Sequence, residues 1–588
     1  MKKILILLSS CLFILTACQQ PNTTDTAFNE LLQAYSNGKL ALNPINATFA
    51  GDASYNAQFP NTLSEAYGKK TVAFYSKYQE EVAKFEDSQL SSNQQLSKKV
   101  LLWDCQMALA QGSFKNDLLM PLNQMWTVHL IMGQFASASS AQPFNTVDDY
   151  LFWLNRLNQY NTWLHSAKAR MQEGIQEGYV LPKSLIVKVI PQFEELTNTD
   201  IEKHLYFSPV HKFPNSFTEE DRANLTAAYT AMLSEKLIPT FTTMATFLST
   251  DYLAAGRTSS GISALPNGTE YYNHAIKKFT TTNMTSDEIH HLGLQEVARI
   301  LAEMETVKTA VGFTGSIQEF FDFVRTNKNL MPYKTPEEII ANFNAIHETM
   351  KPQLAQLFGN TPKTAFVVKQ TESFREASAS AEYNPGSLDG TRPGVFYTPI
   401  PDATKYNVFT DEALFLHEAI PGHHYQISLT QENQDLPDFR KTLWYSAYGE
   451  GWALYTENLG KELGLYTDPY QYFGMLGMEM HRAIRLVVDT GMHAKGWSRE
   501  KAIAYSLANE AEPEASIVSE IERYMANPGQ ALSYKIGQLK ISALRKKATD
   551  ALGDQFDIRA FHNQVLETGC IPLALLEAKI DKWIAAQK

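Results

Sequence analysis

Helical spacing dominates the apolar pattern of this chain. Residues 74–85 and 147–173 mix apolar and charged positions at intervals of three and four, which predicts helices with one buried face. Ser286-Asp287-Glu288 opens a longer segment that runs to Val311. Ser286 is the expected N-cap, and the acids behind it favour the positive end of the helix dipole. Thr335-Pro336-Glu337-Glu338 opens another, with proline near the first helical position, where its missing N–H is not needed. Strand signals are few. Ala365-Phe366-Val367-Val368 is one; Val395-Phe396-Tyr397 is the other, after the turn-rich run Asn384-Pro385-Gly386-Ser387-Leu388-Asp389-Gly390. Helical character returns from Thr410 to near the end. The pattern predicts a mostly α fold with a small β element just before residue 410, divided near residue 280 into helical regions 29–280 and 281–588.

The first residues read differently. Lys2 and Lys3 precede an apolar run from Ile4 to Leu15, too short for a typical membrane span, and then Leu15-Thr16-Ala17-Cys18. This is the pattern of a secretory signal over residues 1–17, and it resembles the bacterial lipobox. The resemblance implies cleavage before Cys18, lipid on that cysteine and a membrane-anchored chain. Residues 18–28 read as a flexible tether. Gln19 is not an acidic sorting residue, so the expected destination in a Gram-negative host is the outer membrane, facing the periplasm.

Composition narrows the classes further. A chain of 588 residues with 44% hydrophobic content can bury a large core. Its net charge of −12, with no Lys/Arg-rich stretch, argues against a nucleic-acid partner. Beyond the signal and Cys18, Cys105 and Cys570 read as two buried free thiols, with pairing open in an oxidising compartment.

One stretch carries chemistry: His417-Glu418-Ala419-Ile420-Pro421-Gly422-His423-His424. A zinc hydrolase commonly places two histidines at i and i+4 on a helix, with a glutamate after the first as general base. Here the later histidines stand at i+6 and i+7. On a regular helix, i+6 points about 120° away and i+7 lies roughly 10 Å along the axis. Pro421 cannot give an N–H to the carbonyl of His417, and Gly422 accepts unusual backbone angles. A bulge at Pro421-Gly422 would bring His423 or His424 beside His417 and leave Glu418 as the base.

The stretch His-Glu-x-x-Pro-Gly-His-His, followed by Gly449-Glu450-Gly451-Trp452-Ala453-Leu454-Tyr455, resembles the bacterial family of domain of unknown function 885. Leu265-Pro266-Asn267-Gly268, Asp489-Thr490-Gly491-Met492-His493 and Pro528-Gly529-Gln530-Ala531-Leu532-Ser533-Tyr534 extend the likeness. That family is similar to helical gluzincin peptidases such as carboxypeptidase Taq, thimet oligopeptidase and angiotensin-converting enzyme. The resemblance implies a multi-helix zinc-peptidase-like architecture with a deep cleft and one zinc per chain. It implies His417, His423 and Glu450 as ligands, with His424 as the alternative to His423. Gly449 and Gly451 would let the Glu450 helix approach the metal helix closely. Glu457, seven residues beyond Glu450, would orient a histidine.

Around such a metal, Tyr524 and Tyr534 are alternative donors to an oxyanion, Tyr524 by similarity to angiotensin-converting enzyme. Arg485, Asp489 and His493 fall at i, i+4 and i+8 on one helix face. They read either as a helix-surface ion pair or as a polar cleft wall, in which His493 donates to substrate and Asp489 fixes its tautomer. Val395-Phe396-Tyr397 reads as an edge strand able to pair with an extended peptide. The expected function is a membrane-anchored zinc metallopeptidase acting on peptides outside the cytoplasm. The alternatives are a peptide-binding lipoprotein with a vestigial site and a zinc hydrolase of cell-wall amides.

Overall fold

Thr23–Leu42 is the first helix of the computed structural model, which describes residues 23–588 except 126, 373–375, 377–379, 388–389 and 391. The signal segment and Cys18 lie outside the described residues. Residues 23–28, expected as tether, belong to this helix. Phe28, Leu32 and Tyr35 recur at i, i+4 and i+7 and are buried, so an apolar face begins inside the polar-looking stretch.

Capping residues set where the long helices start. Thr146 and Asp149 form a reciprocal capping box on Val147–Glu177. The N-cap of Ser286–Ala310 is Thr285, one residue before the expected Ser286. Thr285 keeps an extended backbone, its hydroxyl accepts the N–H of Glu288, and its own N–H donates to the Glu288 carboxylate. Thr335 caps Pro336–Leu357 with Glu338 in the same way.

The fold is mostly helical, with one three-stranded sheet. Strands β1 (Phe366–Gln370), β2 (Glu382–Asn384) and β3 (Gly394–Thr398) lie in the order β1-β3-β2. β1 pairs with β3 in parallel, Val367 opposite Val395, and β2 pairs antiparallel, Tyr383 opposite Phe396. Val395-Phe396-Tyr397 is therefore the central strand and not an edge. Its continuous apolar run fits a strand covered on both faces: Phe396 is fully buried and its ring packs 5.0 Å from that of Phe343. Neither of its edges is free for a peptide.

Buried side chains form two cores. Apolar residues from 28 to 119, with Tyr179 and Leu185, join those from 262 to 584 in the larger one. Residues 59–252 supply the smaller one, and Leu118 and Met120 lean on both. In the larger core, Ser286–Ala310 packs along Pro469–Lys495, and Ser446–Glu457 along Ser533–Leu552. The second pair crosses at Gly451 and Gly537, where a Cβ on Gly451 would stand 2.4 Å from the Cα of Gly537. Cys105 and Cys570 are buried free thiols. Among the described residues, no helix is long and apolar enough to cross a membrane.

Candidate metal centre

The helix Asp411–Glu418 stops one residue after His417, and a new helix, His423–Glu432, begins at the next histidine. The connection is a full break, where the sequence suggested a bulge in a continuous helix. Ala419 leaves the helical region at φ −103°, ψ −105°, the Ile420–Pro421 peptide is cis, and Gly422 sits at φ −77°, ψ −127°. Gly422 folds back so tightly that a Cβ would stand 1.9 Å from the carbonyl oxygen of His417 and 2.3 Å from that of Leu416. Only glycine fits there. Two groups from Ser446–Glu457 hold the break: the Trp452 indole N–H donates to the Pro421 carbonyl at 2.8 Å, and the Thr456 hydroxyl to the Leu416 carbonyl at 2.9 Å. The chain reversal cancels the i+6 offset, and the rings of His417 and His423 meet nearly at right angles, centroids 4.8 Å apart.

Glu450 projects from Ser446–Glu457 into the angle between them. Its Oε2 lies 3.6 Å from His417 Nε2 and 3.3 Å from His423 Nε2. One donor atom from each of the three residues falls within 4.8 Å of the others. Both carboxylate contacts exceed the usual N–H···O range of about 2.7–3.2 Å. Tetrahedral zinc ligands at about 2.0–2.1 Å stand about 3.3–3.4 Å apart, so the His423 contact has that spacing and the His417 contact is wider. The donor set also fits, two imidazoles and a carboxylate with room for a fourth ligand. His417 donates from Nδ1 to Glu457 Oε1 at 2.7 Å, which leaves Nε2 facing the cluster. His417 is the most enclosed of the three side chains at 4% exposure, whereas His423 and Glu450 keep 10% and 14%. Access is from their side.

Electrostatics tie the group together. Burial opposes charge on His417, but the Glu450 and Glu457 carboxylates outweigh it and hold the imidazole up at about 9. Burial likewise opposes charge on Glu450, and the two imidazoles overcome it and keep the carboxylate ionised. Glu418, beside His417 in sequence and 7% exposed, is pushed up by burial and then partly restrained by the two histidines. A raised carboxyl beside a metal-ligand set suits proton transfer near neutral pH.

The remaining candidates fall at different distances from this chemistry. His424 turns the other way: its Nδ1 meets the Tyr383 hydroxyl at 2.8 Å, its ring packs on Phe366, and burial holds it down at about 4. The alternative second histidine is thus a packing residue against the sheet. Glu457 stands where the resemblance placed it. Gly449 and Gly451 do not face the metal helix, however; they admit the Trp444 ring and Gly537 respectively. The approach comes instead from Trp452 and Thr456, two roles the sequence reading lacked.

Arg485, Asp489 and His493 share one face of Pro469–Lys495, but each has its own partner, and the face is buried and not a surface. Arg485 donates to the Tyr524 hydroxyl and to Glu520, both at 2.9 Å. Asp489 accepts from the Tyr272 hydroxyl at 2.6 Å and from the Gly529 N–H, so it does not orient His493. His493 accepts the Ile262 N–H on Nδ1 and donates from Nε2 to the Tyr524 carbonyl, both at 3.0 Å. Both ring nitrogens are used by backbone, the residue is fully buried, and burial holds it down at about 3. It is a core histidine with nothing left for a substrate.

The two tyrosines also separate. Tyr524 is 2% exposed, and its hydroxyl donates to Glu520 at 2.7 Å while receiving Arg485. Tyr534 stacks on the Arg485 guanidinium at 4.5 Å and is only partly buried. Burial raises its hydroxyl, and the Glu450 carboxylate raises it further, which places Tyr534 within electrostatic reach of the cluster.

Comparison with known proteins gives family and fold. None of the curated proteins matches the chain. A crystal structure of a candidate lipoprotein from Colwellia psychrerythraea is similar over 96% of this chain and 99% of that one, at 28% identity and a TM-score of 0.87. A candidate lipoprotein of unknown function from Shewanella oneidensis shares the fold at 20% identity, over 94% and 99% of the two chains, with a TM-score of 0.73. The family model described as bacterial protein of unknown function (DUF885) matches residues 44–580, and the chain belongs to that family.

Proposed function

We propose that this protein is a zinc-dependent metallopeptidase of the gluzincin type, tethered to the cell envelope through Cys18 and hydrolysing peptides outside the cytoplasm. The observation that carries the reading is the convergence of His417, His423 and Glu450, with one donor atom from each within 4.8 Å of the others and Glu418 one residue from the first of them. A bound zinc would lower the pKa of a coordinated water toward neutrality. Glu418 would take the proton from that water and pass it to the leaving amine. Glu457 keeps the His417 ring turned so that Nε2 faces Glu450, where it would be free to hold the ion. Tyr534 is the favoured donor to the developing oxyanion, because it stands near Glu450 while the Tyr524 hydroxyl is occupied. The anchor is supported by the lipobox pattern and by the naming of both similar structures as candidate lipoproteins. In a Gram-negative host, the absence of an acidic sorting residue at Gln19 supports an outer-membrane position facing the periplasm.

The test is elemental analysis of the mature chain purified without its lipid. The expected content is one zinc per chain, lost in His417→Ala and in Glu450→Ala. Glu418→Gln is expected to keep the zinc and lose peptide turnover by a factor of about 10²–10⁴. A chain that takes up no metal even after incubation with zinc is instead a binding lipoprotein with a vestigial site. Zinc without cleavage of any peptide library points to a different amide as substrate.

A further inference from the structure

Trp444 stands beside the metal centre and in contact with solvent. Its ring lies 5.7 Å from that of His423, and the far edge of the indole seats on Gly449, where a Cβ would stand 2.2 Å from its Cη2. The indole is thereby fixed between one ligand candidate and the residue before another, Glu450. It nevertheless remains 45% exposed, a large apolar surface held in place and left open next to the metal ligands. Beside it lies a cavity of about 180 Å³, walled by Trp444, Leu443, Ile427 and Pro385. Three of the polar side chains in the lining are spent elsewhere. Both amide atoms of Gln426 are enclosed within the protein. The Thr430 hydroxyl donates to the Gln426 carbonyl at 2.9 Å. The Cys570 thiol accepts the Tyr445 N–H and donates to the Tyr445 carbonyl. Gln431 and Thr442 keep contact with solvent, and Lys441 is the one charged residue in the described lining. What the cavity offers an occupant is mainly carbon.

Size and chemistry select the occupant. An apolar cavity of about 150 Å³ is enough for a benzene molecule, so this one has room for a phenyl ring with its methylene. The indole adds an aromatic face for that ring. A carboxylate would exchange water for a wall of carbon with only Lys441 to offset the loss, and the same ammonium turns away lysine and arginine side chains. We propose that this cavity is a specificity subsite that takes a large apolar side chain of the substrate, phenylalanine above all, against Trp444. The proposal rests on the peptidase reading above.

The test is calorimetric binding of Ala-Ala-Phe-Ala-Ala and its Ala-, Glu- and Lys-centred counterparts to zinc-loaded Glu418→Gln protein, with kcat/KM for the same peptides measured on the parent enzyme. The phenylalanine peptide is expected to lead the others by about tenfold to a hundredfold in both series, the gain from burying one such side chain. Ile427→Phe fills the cavity from its own wall and is expected to erase that lead while zinc content stays at one per chain. Trp444→Ala is expected to erase it too, and takes its place if the first variant does not fold. Equal values for all four peptides, or a phenylalanine lead that neither variant reduces, would overturn the subsite while hydrolysis could stand. A lead for the glutamate peptide would overturn the apolar assignment in favour of Lys441, and a lead for the lysine peptide would overturn it outright. Phenylalanine-selective binding that the variants abolish, without hydrolysis, would keep the subsite and remove the peptidase reading; neither binding nor hydrolysis of any peptide would overturn both.

Discussion

His417 and Glu457 are joined by a 2.7 Å hydrogen bond from Nδ1–H to Oε1, and both are nearly inaccessible to solvent. The bond decides the tautomer of the first histidine and the direction of its free nitrogen. It reaches across from the helix that also carries Glu450, so one helix supplies both a ligand candidate and the group that orients another. Partners of this kind usually contribute 10–100-fold to metal affinity. Glu457→Ala is therefore expected to weaken zinc binding by about that factor in competition with a chelator, with Glu418, His423 and Glu450 unchanged. Unaltered zinc affinity in this variant would reduce Glu457 to a packing role.

Gly422 makes the break between the helices Asp411–Glu418 and His423–Glu432 possible. A methyl group there would meet two carbonyl oxygens of the preceding turn at under 2.5 Å, and backbone on both sides leaves little room to yield. Gly422→Ala is expected to lower stability by about 3 kcal/mol or more and to abolish zinc uptake, read by denaturant unfolding and elemental analysis. A variant with parental stability and full zinc would mean that the break can form another way.

Much of this centre was legible in sequence. Pro421-Gly422 announces a distortion, and Glu450 and Glu457 share one helical face at i and i+7. What sequence could not give was direction. His423 and His424 are adjacent and chemically equal, and only the chain reversal decides that one faces Glu450 and the other Tyr383. His493 misled for a similar reason: its spacing from Asp489 matched a functional pair, but its partners are backbone groups from Ile262 and Tyr524, distant in sequence. Trp452 was visible in the motif, but its role depends on a carbonyl 31 residues away. β3 was recognised as a strand, but its central position required knowing that the intervening residues return as β2.

Asp489 gives a pH prediction independent of metal. Burial pushes its carboxyl up to about 7 from an ordinary value of 3.8, despite hydrogen bonds from Tyr272 and Gly529. The fold thus favours the protonated form. Its contribution to stability is complete below about pH 4 and is lost as pH rises through about 7, with a limiting slope of about 1.4 kcal/mol per pH unit. Asp489→Asn removes the titration while keeping an acceptor for Tyr272. Its stability relative to the parent is expected to rise steadily between pH 4 and pH 7 in denaturant unfolding. Parallel pH profiles for the two proteins would place the titration elsewhere.

Tyr534 and Tyr524 provide the sharpest separation between chemistry and architecture. Tyr534 stands in the field of Glu450 with its ring on Arg485. Losing one preorganised oxyanion donor typically lowers kcat by about 10²–10³. Tyr534→Phe is expected to show that loss with zinc content, KM and stability close to the parent values. The Tyr524 hydroxyl is instead fixed between Arg485 and Glu520, so Tyr524→Phe removes a partner from two buried charged groups. It is expected to cost about 1–3 kcal/mol of stability and to leave kcat within a few-fold of the parent. The reverse pattern, with rate lost at Tyr524 and stability lost at Tyr534, would move the oxyanion donor to Tyr524. It would also require the Arg485–Glu520 pair to open when substrate binds, because only then is that hydroxyl released.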